Sequence, residues 1–185
     1  MVTKNIYIIH VLLLIIITMI INCTKDKIYK DDELSFAKES YIGTELRIDG
    51  YYYQEKHGKF YTMYCFYRNG ILLYLGGGFS SHQIIELENR IKNGSFYNGV
   101  KNLKDYWGVF KIENNNIKFE RWYPSSGGGL PTYVREGKIL NDTTFVITEV
   151  YRMKKGKKIE AETRNEIYHF KEFHPKPDST NAFVQ

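Results

Sequence analysis

Residues 105–152 read DYWGVFKIENNNIKFERWYPSSGGGLPTYVREGKILNDTTFVITEVYR. Four runs rich in aromatic and β-branched residues lie in this stretch: Asp105–Glu113, Asn116–Tyr123, Thr132–Leu140 and Thr143–Arg152. Asn114-Asn115, the loop Pro124–Pro131 and Asn141-Asp142 divide them. Side chains of these types pack well on a pleated, half-buried surface, and short runs bounded by turn formers read as strands. Short sequential connections favour pairing of each strand with the next.

The same reading extends in both directions. Leu46–Gln54 and Lys59–Arg68 are expected strands, separated by His57-Gly58. Asn69-Gly70 predicts a type I′ hairpin turn, because both residues tolerate positive φ. Ile71–Leu75 follows and ends in Gly76-Gly77-Gly78, which a regular strand interior would not choose. A helix is predicted over His82–Lys92. Ser80 and Gln83 have the spacing of a capping box, Ile84, Leu87 and Ile91 recur at helical period, and Asn93-Gly94 stops it. A last long strand, Lys158–Phe173, follows the lysine-rich tip, and Pro175 and Pro177 place the tail 174–185 outside any ladder. With 16 Tyr and 11 Phe, the composition also leans to β structure. The fold class is all-β. Eight strands in series, with one inserted helix, are expected to close as an up-and-down antiparallel barrel, which leaves no exposed edge. A β-sandwich is the alternative, but no long crossover connection supports a Greek key.

Gly50-Tyr51-Tyr52-Tyr53, Phe66 with Asn69-Gly70, and the pair Trp107–Ile112 and Ile117–Glu120 joined by Asn114-Asn115-Asn116 together resemble the lipocalin-like (calycin) domains of bacterial lipoproteins. The likeness covers residues 46–173 and lies in order and hairpin style. It lacks the opening Gly-x-Trp element of true lipocalins and places its helix early. The resemblance therefore implies the fold and a habit of binding small apolar molecules, and no particular ligand residues.

At the N-terminus, Lys4 precedes an apolar run from Ile6 to Ile21, followed by Asn22-Cys23-Thr24-Lys25. A cation, a short apolar core and a terminal cysteine resemble a bacterial lipoprotein signal, in which the thiol takes lipid before cleavage ahead of it. Residues 1–22 would be the signal peptide, Cys23 the lipidation site and residues 23–45 a polar tether to the domain at 46–173. The partner is then a membrane, reached through the lipid on Cys23. The location is the cell envelope, with the outer membrane favoured because Thr24 is not an acidic retention signal. An uncleaved anchor helix is the alternative, although the run is shorter than the about 20 apolar residues of a normal span.

Losing the first 22 of 185 residues leaves 163, enough for one domain with a proper core. Losing Lys4 lowers the 26 basic residues to 25 against 21 acidic, a net charge of +4. The excess is mild and spread along the chain, which argues against nucleic acid as a partner. Its only dense run, Lys154-Lys155-Gly156-Lys157-Lys158, reads as a solvated hairpin tip in preference to an anionic-surface contact. Beyond Cys23 the single remaining thiol is Cys65, which can form no internal disulfide and reads as a small buried hydrophobe. The histidines at 57, 82, 169 and 174 are scattered, no metal-ligand spacing occurs, and no cofactor motif or catalytic set is recognisable.

Strands alternate faces. Arg121 shares a face with Ile117, Phe119 and Tyr123; Arg135 with Tyr133 and Ile139; Glu149 with Phe145, Ile147 and Tyr151. If those faces point inward, Arg121, Arg135 and Glu149 converge in one lumen with Tyr123, Tyr133 and Tyr151 as neighbours. They would form either a self-satisfied ionic network or an anchor for a ligand carboxylate or hydroxyl. The opposite assignment stays open for the last strand, where Val146 and Val150 make the other face apolar. Ser125–Gly129 reads as a mobile lid or rim loop, because no helix follows it as a phosphate loop requires. The expected function is a non-enzymatic binding module for a small apolar or amphipathic ligand. A filled-barrel interaction subunit and an envelope hydrolase are the alternatives.

Overall fold

The structure, a computed structural model, describes residues 30–57 and 59–185. Cys23 and the signal segment lie outside the described residues. Asp31–Gln185 forms one compact unit. Its strands are β1 (Gly50–Lys56), β2 (Lys59–Phe66), β3 (Ile71–Gly76), β4 (Trp107–Glu113), β5 (Asn116–Trp122), β6 (Thr132–Asn141), β7 (Thr144–Lys154) and β8 (Lys157–Glu172). They pair antiparallel in chain order and close β8 onto β1, giving the expected eight-stranded up-and-down barrel.

Helix α1 (Ser81–Lys92) carries the expected cap: Ser80 Oγ accepts from the Gln83 amide and Gln83 Oε1 accepts from the Ser80 amide. Asn93-Gly94 ends it, but a second short helix, α2 (Ser95–Val100), follows at once with Phe96 and Val100 buried. The tight turns fall differently from expectation. Asn114 and Asn115, at φ 50° and 61°, have the two left-handed residues of a type I′ turn. At Asn69-Gly70 only Gly70 is left-handed, at φ 80°, while Gly70 N donates to Tyr67 O and Tyr67 N to Ile71 O. This is the three-residue hairpin with a terminal glycine bulge. Gly70 is doubly required, since a Cβ there would meet Glu39 O at 2.1 Å.

Two apolar clusters flank the barrel wall. Inside, Phe66 of β2 meets Phe119 of β5 at 5.7 Å and Phe145 of β7 at 6.0 Å between ring centroids. These strands are not neighbours, so the rings fill the lumen. Phe66 also meets Phe110 at 4.8 Å, and Tyr168 stacks on Phe145 at 4.8 Å. Outside β1–β4, the helices, Trp107, Trp122, Phe173 and Val184 form the second cluster. Cys65 belongs to it, fully buried, and burial pushes its thiol up to about 11. We expect a thiol reagent to leave Cys65 unmodified in native protein and to label it on unfolding in urea, as mass spectrometry would record.

Within the segment expected as a tether, residues 31–45 belong to the compact unit. From Asp31 to Glu45 the chain lies bound along the barrel. Asp31 Oδ1 accepts from Leu130 N, Asp32 O from Trp122 Nε1, and Ser35 donates through amide and hydroxyl to Glu120 Oε2. Further on, the segment crosses one end of the barrel, where Tyr41 is buried and Leu46 N donates to its hydroxyl. The tail is also docked: Lys176 Nζ donates to Ile48 O and Phe66 O, and Tyr67 Oη to Pro177 O.

Candidate functional site at the barrel mouth

One barrel end is closed by residues 41–47: Tyr52 Oη donates to Arg47 O and Asp142 O across it. The other end carries the β1–β2 and β7–β8 hairpin tips, the loop after β5 and the helical insertion. There an open pocket of about 320 Å³ is lined by Tyr123, Tyr133, Arg135, Val150, Glu160 and Arg164, among others.

The register places the predicted site residues. Arg121 pairs with Tyr133 and Phe119 with Arg135, so both arginines share the face of the lumen ring Phe119. Arg121 is 5 % exposed. Its Nη1 donates to Asp105 O at 2.6 Å and Trp122 O at 2.9 Å, and its guanidinium lies 4.0 Å from the Tyr74 ring and 3.7 Å from the Tyr123 ring. Its Nε is buried without a partner, and no described carboxylate pairs with it. Arg135 Nε donates to Tyr123 Oη at 3.1 Å and Nη1 to Glu166 Oε2 at 2.8 Å. Tyr133 packs edge-on against Tyr123 at 5.3 Å.

Glu149 and Tyr151 do not join them. A β-bulge in β7 sets Gly137 opposite Ile147 but Glu136 opposite Glu149, leaving Thr148 unpaired between them. One inserted residue reverses which face each later side chain takes. Phe145 and Ile147 face the lumen, then Val150 does, and Glu149 and Tyr151 turn outward. Glu149 Oε2 pairs with Lys158 Nζ at 2.6 Å, and Tyr151 Oη donates to Glu136 Oε2 at 2.7 Å. Lys118 also reaches Glu136, so Glu136, Glu149, Lys118 and Lys158 make an ion network on the outer face, over the buried Tyr151.

The acid that meets Arg135 is Glu166 of β8, which also accepts from Tyr168 Oη. Glu160, Glu162 and Arg164 line the same mouth. The signal for them was present in the sequence, since the even-numbered residues from Glu160 to Phe170 alternate onto the face of Tyr168 and Phe170.

The floor of the mouth favours negative charge. Burial alone would raise the Tyr123 phenol, but the charges of Arg135 and Arg121 and the Arg135 hydrogen bond bring it below the ordinary tyrosine value. Tyr64, buried beside it with an unpartnered hydroxyl, is pushed up by desolvation. On this buried floor Arg121 and Arg135 face the single carboxylate of Glu166, while at the rim Glu160 and Glu162 outnumber Arg164, so the cation excess is confined to the floor. The loop 125–129 stands at the rim, where Ser125 Oγ donates to Gly128 O and Gly129 O.

At the closed end, Asp49, Glu172 and His174 place ligand atoms within 4.8 Å of one another. The Arg47 guanidinium binds both carboxylates, which makes the group an ion-pair cluster.

Compared with protein-family models, curated proteins and solved structures, the chain matches none of them.

Proposed function

We propose that this chain is a lipid-anchored envelope protein, held to the membrane through Cys23, more specifically the outer membrane. In this reading its barrel mouth is a non-enzymatic binding site for a small amphipathic ligand with an oxyanion head. The observation that carries the ligand reading is the buried, carboxylate-free Arg121 stacked beneath Tyr123, with Arg135 beside it in the wall of an about 320 Å³ pocket. Uncompensated buried charge is costly; Arg135 already pairs with Glu166, so a ligand carboxylate bonded to it would lessen that cost by bringing a second negative charge to the side of Tyr123 opposite Arg121. The aromatic rings below limit the ligand to the mouth, so a long acyl chain does not fit down the axis. Tyr123, Tyr133 and Val150 supply apolar contact for a short one.

Native mass spectrometry of protein purified from its own host tests this reading. We expect a retained small acid on the wild type and its loss in Arg135→Ala. If no adduct is found and added octanoate does not bind, the ligand reading fails. The filled lumen then supports the interaction-subunit alternative.

The anchor is tested separately by fractionating cells that express Cys23→Ser. We expect the variant to leave the membrane fraction, because acyl chains contribute about 0.8 kcal/mol per buried methylene. Full retention at unchanged size would favour the uncleaved helix.

A further inference from the structure

The lysine-rich tip finds a role once the barrel places it. β1 and β2 end in the pair Lys56 and Lys59, and β7 and β8 end in Lys154 and Lys157, with Lys155 in the turn between. All five are exposed. Lys158 is tied to Glu149 and Glu136, but these five have no described ion-pair partner. β1 and β8 are neighbours that pair only through Gly50–Tyr53 and His169–Glu172. Beyond that they diverge around a cleft of about 710 Å³ that Lys56 of the β1–β2 tip borders, and the β7–β8 tip lies at the same end of the barrel. At the opposite end the chemistry differs: Arg47 is bound to Asp49 and Glu172, and Lys111 to Glu113.

The point where the bound chain begins gives an independent argument. Asp31 and Asp32 are fixed at the mouth: Asp31 binds Lys104 and Leu130, and Asp32 binds Arg152 and Thr132. Eight residue steps separate Cys23 from Asp31. At no more than 3.6 Å per residue they reach no further than about 29 Å. Lipid on Cys23 would therefore keep the mouth, and not the closed end, next to the leaflet.

We propose that the open end of the barrel docks on anionic phospholipid head groups, with Lys56, Lys59, Lys154, Lys155 and Lys157 as the contact cations. The mouth then opens toward the leaflet, the source of amphiphiles for the pocket. The orientation rests on the lipid-anchor reading, whereas the head-group contact does not.

The barrel is compact from Asp31 onward with its own core, so the chain from Cys23 on, carrying Cys23→Ser, serves for the test. It is sedimented with vesicles of phosphatidylcholine alone and of phosphatidylcholine doped with phosphatidylglycerol. We expect binding to the doped vesicles only, lost at high salt. Lys154→Glu/Lys155→Glu/Lys157→Glu should weaken it by at least about tenfold, while Lys138→Glu, an exposed change near the closed end, stays within about twofold. Equal binding by the triple variant, an equal loss in Lys138→Glu, or no binding to doped vesicles overturns the proposal. None of these outcomes depends on Cys23 lipidation or on Arg135, so each is separable from failure of the anchor or the pocket.

Discussion

Phe66→Ala is expected to lower the stability of the barrel by about 3–5 kcal/mol, the range for a large aromatic removed from a packed core. Phe66 is 1 % exposed and touches rings from four other strands: Tyr52, Phe110, Phe119 and Phe145. Those strands are held apart by their own ladder, so they cannot collapse into the space, and the cavity term adds to the lost transfer free energy. Urea unfolding of both proteins measures the effect. A cost under about 1.5 kcal/mol would mean the lumen is loosely filled, and the pocket would then extend downward from the mouth.

The second large effect separates two carboxylates that the chain places on opposite faces. Glu166→Ala should cost about 2–3 kcal/mol, because it strands the Arg135 guanidinium. This is below the roughly 3–5 kcal/mol of a fully buried pair, since both side chains keep some exposure. Glu149→Ala should cost under about 1 kcal/mol, since its bond to Lys158 lies on the surface. Thermal unfolding of the two variants side by side reads the difference. The reverse order would place Glu149 in the lumen and remove the bulge at Thr148 from the account.

That bulge shows where the sequence stops being legible. The strands themselves were readable: periodic apolar runs and turn formers located all eight and their order. The face of each strand was readable too where one face is clearly polar, as in β5 and β6, and there Arg121 and Arg135 lie as expected. In β7 both faces are apolar, so alternation could not reveal that Val150, and not Glu149, continues the inward set after Ile147. The hidden step is one residue, yet it exchanges a buried carboxylate for a surface one. Residues 31–45 failed for another reason. Their local pattern is polar and aperiodic, and their anchors, Leu130, Glu120 and Trp122, are far away in sequence. No window along the chain contains that information. Glu166 was within reach, since it alternates with Tyr168 and Phe170, but a face so rich in charge does not look like a lumen until the mouth is seen to be wet.

The central proposal is that the barrel mouth binds an oxyanion. Titrating octanoate into isotope-labelled protein and following backbone amide resonances by NMR tests this most directly. We expect saturable shifts concentrated at Tyr123, Tyr133, Arg135, Val150 and Arg164, and their disappearance in Arg135→Ala. Shifts centred instead on the α1 face or the closed end around Tyr41, or no saturable shifts at all, would contradict it.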